Sequence, residues 1–193
     1  VSREITVAPV PEKDTETKEG ATERGCGLFA QVRYGEALEA YVRALSMDSM
    51  YARAWSNKGN ALHKLRQFTD ALEAYDQALS LAPQTLAIWL NKGIVLADIG
   101  QYEEALSAFD HAVNLSPENA YAWKHKGDEL YVRAQYPEAL DAYNHVLTLE
   151  SDYAPAWNCK GNALYQMGKI AEAIEAYGRA AESDPFLNWQ KRT

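Results

Sequence analysis

The stretch ARAWSNKGNALHKLRQFTDALEAYDQALSLAPQT, residues 52–85, sets the register of the whole chain. Trp55 is followed four residues later by Gly59 and sixteen residues later by Ala71. The same marks return every 34 residues, as Trp89, Gly93 and Ala105, then Trp123, Gly127 and Ala139, then Trp157, Gly161 and Ala173. A fixed period of this length signals stacked small units, each of which buries its apolar face against its neighbours. Aligned without gaps, the full repeats are 52–85, 86–119, 120–153 and 154–187.

Each repeat carries two helical patterns. Over 54–66, Trp55, Gly59, Leu62 and Leu65 recur at three- and four-residue spacing, and over 69–81, Ala71, Leu72, Tyr75, Ala78 and Leu79 do the same. Gly100 and Gly168 stand in the short turn between the two patterns, where helix C-termini favour glycine. Asp70 and Glu104 open second helices, where the helix dipole favours acid. Pro137 stands at a helix start, and Pro83, Pro117 and Pro185 follow second helices. Gly59 and Ala71 are expected to be small so that paired helices approach closely, with Tyr75 and its equivalents filling the space between repeats. Upstream, a partial repeat over 21–51 places Gly25, Leu28, Tyr34, Ala37, Tyr41 and Ala44 on repeat positions. Ala21 takes the tryptophan's place there and leaves the start of the first helix open. Residues 1–20, rich in Glu, Lys, Thr and Pro without apolar period, are expected to be a flexible tail or linker, and 188–193 a C-terminal tail.

A 34-residue helix–turn–helix with Trp, Gly, Leu, Ala, an aromatic, Ala and Pro at these offsets resembles the tetratricopeptide repeat family, whose signature runs W-x₂-L-G-x₂-Y, A-x₃-F, P. The resemblance covers residues 21–187. The fourth repeat departs from it with Val146 for Ala and Ser151 for Pro. Lysine also precedes each glycine, as Lys58, Lys92, Lys126 and Lys160, where the family usually has a large apolar residue. These lysines either pack their stems with the ammonium in water, near acidic neighbours, or form a ladder that binds anions. The resemblance implies an all-α fold, an α-α superhelix or solenoid of helix-turn-helix repeats. First helices would then line a concave groove that takes an extended or helical peptide from a protein partner. Carried onto this chain, the groove positions are Arg53, Asn57, Asn60 and Lys64, then Leu90, Asn91 and Ile94. Tyr121, Lys124, His125, Asp128 and Tyr131 follow in the fourth repeat, and Asn158, Asn162 and Tyr165 in the fifth. Leu90 and Ile94 form an apolar middle, and neighbouring apolar residues on an outward face suggest a partner. The clamp for acidic chaperone tails is half present: Asn60 and Asn91 match its asparagines, whereas Ser56, Tyr121 and His125 stand where cations are required.

Composition bounds the remaining choices. A net charge of −8 argues against nucleic acid, whose binders carry basic faces. No run of about 18 apolar residues suggests a membrane span, and the N-terminus lacks a signal-peptide pattern. Cys26 and Cys159 lie in different repeats and read as buried free thiols of a reducing compartment, so a cytoplasmic location is expected. His63, His111, His125 and His145 have no ligand-spaced Cys or carboxylates around them, and no phosphate loop or nucleophile motif occurs. No metal, cofactor or catalytic activity is expected. The leading expectation is a protein–protein interaction scaffold. The alternatives are a regulatory or targeting segment of a larger multidomain enzyme, or self-association through an uncapped last helix near Ile174 and Tyr177, with Trp189 as a partial lid.

Overall fold

A computed structural model describes residues 16–183. They form α1 (Lys18–Ala30), α2 (Tyr34–Met47), α3 (Ala52–Lys64), α4 (Phe68–Leu81), α5 (Leu86–Asp98), α6 (Tyr102–Leu115), α7 (Ala120–Val132), α8 (Tyr136–Leu149), α9 (Ala154–Gln166) and α10 (Ile170–Ser183). No strand occurs among the described residues. Each helix packs on the next in sequence. Successive odd-numbered helices also touch one another, whereas no two even-numbered helices do. In a stack of pairs this means curvature: the odd helices form the inner, concave layer and the even helices the outer one.

The first helix of each repeat starts and ends two residues earlier than the apolar spacing over 54–66 predicts. The reason is the turn. Val32, Arg66, Gly100, Ala134 and Gly168, again 34 residues apart, all have positive φ, between 58° and 77°. This left-handed residue stops the helix and turns the chain into its partner. Glycine takes the conformation freely, while an L side chain costs roughly 1–2 kcal/mol there.

The first repeat is a complete hairpin. Thr17 caps α1 by accepting a hydrogen bond from the Gly20 N–H at 3.1 Å, and Ala21 and Thr22 are fully buried. Order therefore reaches Lys18, inside the segment expected to be a tail, and five helix pairs are formed rather than four and a fragment. The rest of that expected tail (residues 1–15) lies outside the described residues, as do Pro185, the 188–193 tail and Trp189.

Helix pairing rests on one recurring contact. A Cβ built on Gly59 would lie 2.6 Å from the Tyr75 ring, and one on Gly93 2.6 Å from the Phe109 ring. Gly25 with Tyr41, Gly127 with Tyr143 and Gly161 with Tyr177 repeat the arrangement at 2.5–2.6 Å. Small residues are thus required for close approach, as expected, but what approaches is the aromatic ring of the same repeat's second helix. The ring also joins a core shared with the next repeat: Tyr75 clusters with Leu62, Ala78, Ile88 and Val95.

The periodic tryptophan joins one repeat to the loop before it. Each indole N–H donates to a carbonyl six residues upstream: Trp55 to Ser49, Trp89 to Pro83 and Trp123 to Pro117, each at 2.8 Å, and Trp157 to Ser151 at 2.7 Å. Lys58, Lys92, Lys126 and Lys160 lay their ammonium groups over these rings, 4.6–5.8 Å from the centroid. Lys92 and Lys126 also pair with Asp76 and Asp110 of the preceding repeat, at 2.5 and 2.7 Å. All four lysines therefore lie against the tryptophan rings, and Lys92 and Lys126 have aspartate partners as well. His111 stacks on Trp89, the centroids 4.3 Å apart, and His145 lies over Trp123 at 4.2 Å. Among the described residues, no helix is long and apolar enough to cross a membrane. Cys26 and Cys159 are free and half-buried. Ile170 and Ile174 are exposed on α10.

Two substitutions test these constraints. Gly93→Ala forces a methyl group into the Phe109 ring and is expected to lower unfolding stability by about 1–3 kcal/mol in urea titration. Ala134→Gly relieves the left-handed turn residue and is expected to raise stability by about 0.5–1 kcal/mol in the same measurement, after the extra chain entropy of glycine is offset.

Candidate functional site: the concave layer

All fifteen groove candidates fall on odd helices. Arg53, Asn57, Asn60 and Lys64 are on α3, and Leu90, Asn91 and Ile94 on α5. Tyr121, Lys124, His125, Asp128 and Tyr131 are on α7, and Asn158, Asn162 and Tyr165 on α9. Arg53, Lys64, Tyr121, Asn158 and Tyr165 are exposed, and the others except Leu90 are half-buried. Leu90 corrects the expectation of an outward apolar pair: it is only 7% exposed and packs in the core with Leu96, Phe109 and Ala122. The equivalent places hold Ser56, Lys124 and Asn158, and an apolar side chain there gains more by turning into the junction with α7.

The ring contact that pairs the helices also sets the chemistry of this layer. With the ring seated on glycine, the phenol oxygen reaches the residue after that glycine. Tyr75 donates to Asn60 Oδ1 at 2.7 Å, Tyr143 to Asp128 Oδ1 at 3.1 Å and Tyr177 to Asn162 Oδ1 at 2.8 Å. Tyr41 donates to Cys26 Sγ at 3.7 Å. The third repeat has Phe109, which has no hydroxyl, and there the residue after glycine is Ile94. Burial pushes the phenols of Tyr75 and Tyr143 well above their ordinary pKa, so both are neutral donors.

A second set of contacts runs between neighbouring inner helices. Asn91 Nδ2 donates to Asn60 Oδ1 at 2.8 Å, and Asn57 Nδ2 to Cys26 Sγ at 3.4 Å. His63 Nε2 lies 2.7 Å from Asp98 Oδ2, while the His125 ring of α7 stacks on Phe109 of the outer helix α6 with centroids 5.4 Å apart. Much of the expected groove is therefore already engaged within the protein. The Asn60 amide group and the Asn91 carbonyl oxygen retain capacity for an outside partner. Lys124 donates to Asp128 at 2.6 Å; burial works against its charge, but the Asp128 contact prevails and holds its pKa above the ordinary lysine value. Burial lowers the pKa of His125, which is neutral at pH 7, and burial with the Asp128 carboxylate raises that of the Cys159 thiol.

Between the third and fourth repeats the layer opens into a pocket of about 330 Å³. Ile94, Ala97, Phe109 and Val132 supply apolar walls, and Asp98, His125, Asp128 and Glu129 also line it. Glu129 was not among the groove candidates. The signal was available in its register: equivalent places in the other full repeats hold Ala61, Val95 and Ala163. Larger clefts, of about 690, 470 and 420 Å³, recur on the other side at Trp55–Lys58, Trp123–Lys126 and Trp89–Lys92. They follow from the repeat itself and are crossed at Lys92 and Lys126 by the pairs with Asp76 and Asp110. Among the described residues, no group of three or more His, Cys, Asp or Glu side chains could hold a metal ion.

The pairing of hydroxyl and acceptor predicts that opposite substitutions in two repeats both destabilise. Tyr75→Phe removes a donor to Asn60 and should cost about 0.5–1.5 kcal/mol. Phe109→Tyr adds a buried hydroxyl facing Ile94 and should also destabilise, by about 1–3 kcal/mol. Adding Ile94→Asn to Phe109→Tyr should recover part of that loss, read as a coupling energy in a double-mutant cycle by chemical denaturation.

The comparisons with known proteins agree with this architecture. Profiles described as Tetratricopeptide repeat match residues 52–84, 87–119 and 154–187, and one described as TPR repeat matches 28–66 and 127–168. A comparison with curated protein sequences finds no match. A crystal structure of MamA protein superposes with a TM-score of 0.80 at 20% identity, over 87% of this chain and 92% of that one. MamA 41-end from Desulfovibrio magneticus RS-1 gives 0.81 at 19% identity, over 91% and 97%. YrrB, described as a TPR protein with an unusual peptide-binding site, gives 0.75 at 22% identity, over 94% of both chains. At these identities the structures speak for the fold alone, while the repeat profiles together cover most of the sequence. The chain belongs to the tetratricopeptide repeat family.

Proposed function

We propose that this protein is an interaction scaffold whose concave layer binds an extended segment of a protein partner. The observation that carries the reading is the composition of that layer. Side chains with unused hydrogen-bonding capacity, at Asn60 and Asn91, run between exposed Arg53 at one end and exposed Tyr121 and Tyr165 toward the other. Asparagine offers both a donor and an acceptor to a peptide backbone, and exposed tyrosines supply amphipathic contact area at low entropic cost. The peptide-binding site named for YrrB belongs to that protein, and it supports the reading by showing that this architecture can carry one. Leu90 takes no part in the contact, since it is committed to the core.

The test is affinity capture with the 193-residue chain and with Arg53→Glu and Tyr121→Ala variants. Both positions are exposed, so the variants are expected to keep their helicity and melting temperature. Each is expected to weaken capture of a groove-bound partner by about tenfold, or ~1.4 kcal/mol. Folded variants that retain every partner at full affinity would refute the groove as the binding surface.

A further inference from the structure

Resting on the groove reading above, we propose that the bound segment carries a lysine or arginine whose side chain enters the pocket between the third and fourth repeats and sets its cationic head against Glu129. Glu129 is only 4% exposed, and its Oε1 is buried without a hydrogen-bond partner. Buried polar atoms are nearly always paired, so an orphan at the wall of a cavity asks for a reason. Packing does not supply one. The equivalent places hold Ala61, Val95 and Ala163, all fully buried, so the fold is satisfied there by a small apolar group.

The neighbouring charges are already committed. Asp98 lies 2.7 Å from His63. Asp128 takes Lys124 at 2.6 Å and the Tyr143 hydroxyl at 3.1 Å. Arg133, one turn beyond Glu129, pairs with Glu103 at 2.9 Å and donates to Gln135 at 3.1 Å; its charge favours the Glu129 carboxylate, but neither its buried Nη1 nor Glu129 Oε1 has a hydrogen bond. Glu129 is thus the pocket's unmet acceptor, with two further carboxylates lining the same space. His125, neutral for the reason given above, adds no repelling charge.

The shape selects a long side chain. The pocket of about 330 Å³ lies at the small end of ligand cavities, which run roughly 300–1,000 Å³, and has room for one extended side chain. Its apolar walls suit an aliphatic stem, and the carboxyl suits a charged head, the division found in lysine and arginine. Burial raises the pKa of Glu129 while Arg133 works against the rise, and a cation set against the carboxyl favours its ionised form.

The experiment selects short random peptides from a display library on the 193-residue protein, then compares Glu129→Gln and Glu129→Ala. The alanine variant copies the second and fifth repeats, so it is expected to fold, and circular dichroism and melting temperature check this. Wild-type selections are expected to fix a basic residue at one position. Exchanging that residue between lysine and arginine tells which head is preferred. Norleucine there, which keeps the stem without the charge, is expected to weaken binding at least about tenfold. Both Glu129 variants should still bind peptides but lose the basic preference. Selected peptides with no fixed basic residue, with a neutral donor instead, or with the same preference in the variants would overturn the pocket and leave the groove reading standing. Selections that yield no peptide sensitive to Arg53→Glu or Tyr121→Ala would overturn both.

Discussion

An aromatic ring lying against a bare α-carbon is the constraint on which the structure depends. Gly59 under Tyr75 and Gly93 under Phe109 leave no room for a methyl group, so the paired helices stand at one separation. That separation repeats in all five hairpins and makes the units interchangeable in the stack. It also fixes where the far end of the ring arrives, beside the residue after the glycine. A core contact therefore decides which side chain of the concave surface is held and which hydrogen-bonding groups are left over.

The two faces of the array divide the work. Outside, tryptophan and lysine join a repeat to the loop before it, through the indole bond to a carbonyl and the ammonium over the ring. Inside, the ties are polar and differ from junction to junction, Asn91 to Asn60, Asn57 to Cys26 and His63 to Asp98, whereas His125 reaches across to stack on Phe109 of α6. The outer contacts are nearly uniform because they build the superhelix. The inner ones vary, which is where selectivity for a ligand can reside in a repeat protein.

Much of the fold was legible because its determinants are local and periodic. Tryptophan spacing, the apolar stripes and the glycine turns account for the eight helices of the four full repeats and their pairing. The helix ends were missed by two residues because Arg66 and Ala134 take the left-handed turn without being glycine. The first hairpin was left open because Ala21 removed the ruler, although Thr17 was there to cap the helix. In the concave layer, which helix carries each residue was legible, but its engagement was not. Tyr75 meets Asn60 from 15 positions away and Asn91 meets it from 31, and neither spacing has a helical signature. Leu90 was misread because one position beside the tryptophan can face either way, and its own apolarity decided the matter. Glu129 was overlooked although a carboxyl in a column of Ala61, Val95 and Ala163 is a visible anomaly once the column is drawn.

The bonds between neighbouring inner helices also give the array a mechanical character. Asn91–Asn60 and His63–Asp98 tie adjacent turns along the short inside edge of the curve, where a change in superhelical radius is felt as stretch. They act as stiffeners in a coiled spring; at the junction of the third and fourth repeats the ties run to the outer helix instead, through His125 on Phe109 and Arg133 to Glu103. A segment laid across that junction would set the pitch of the whole spring as well as occupy a site on it.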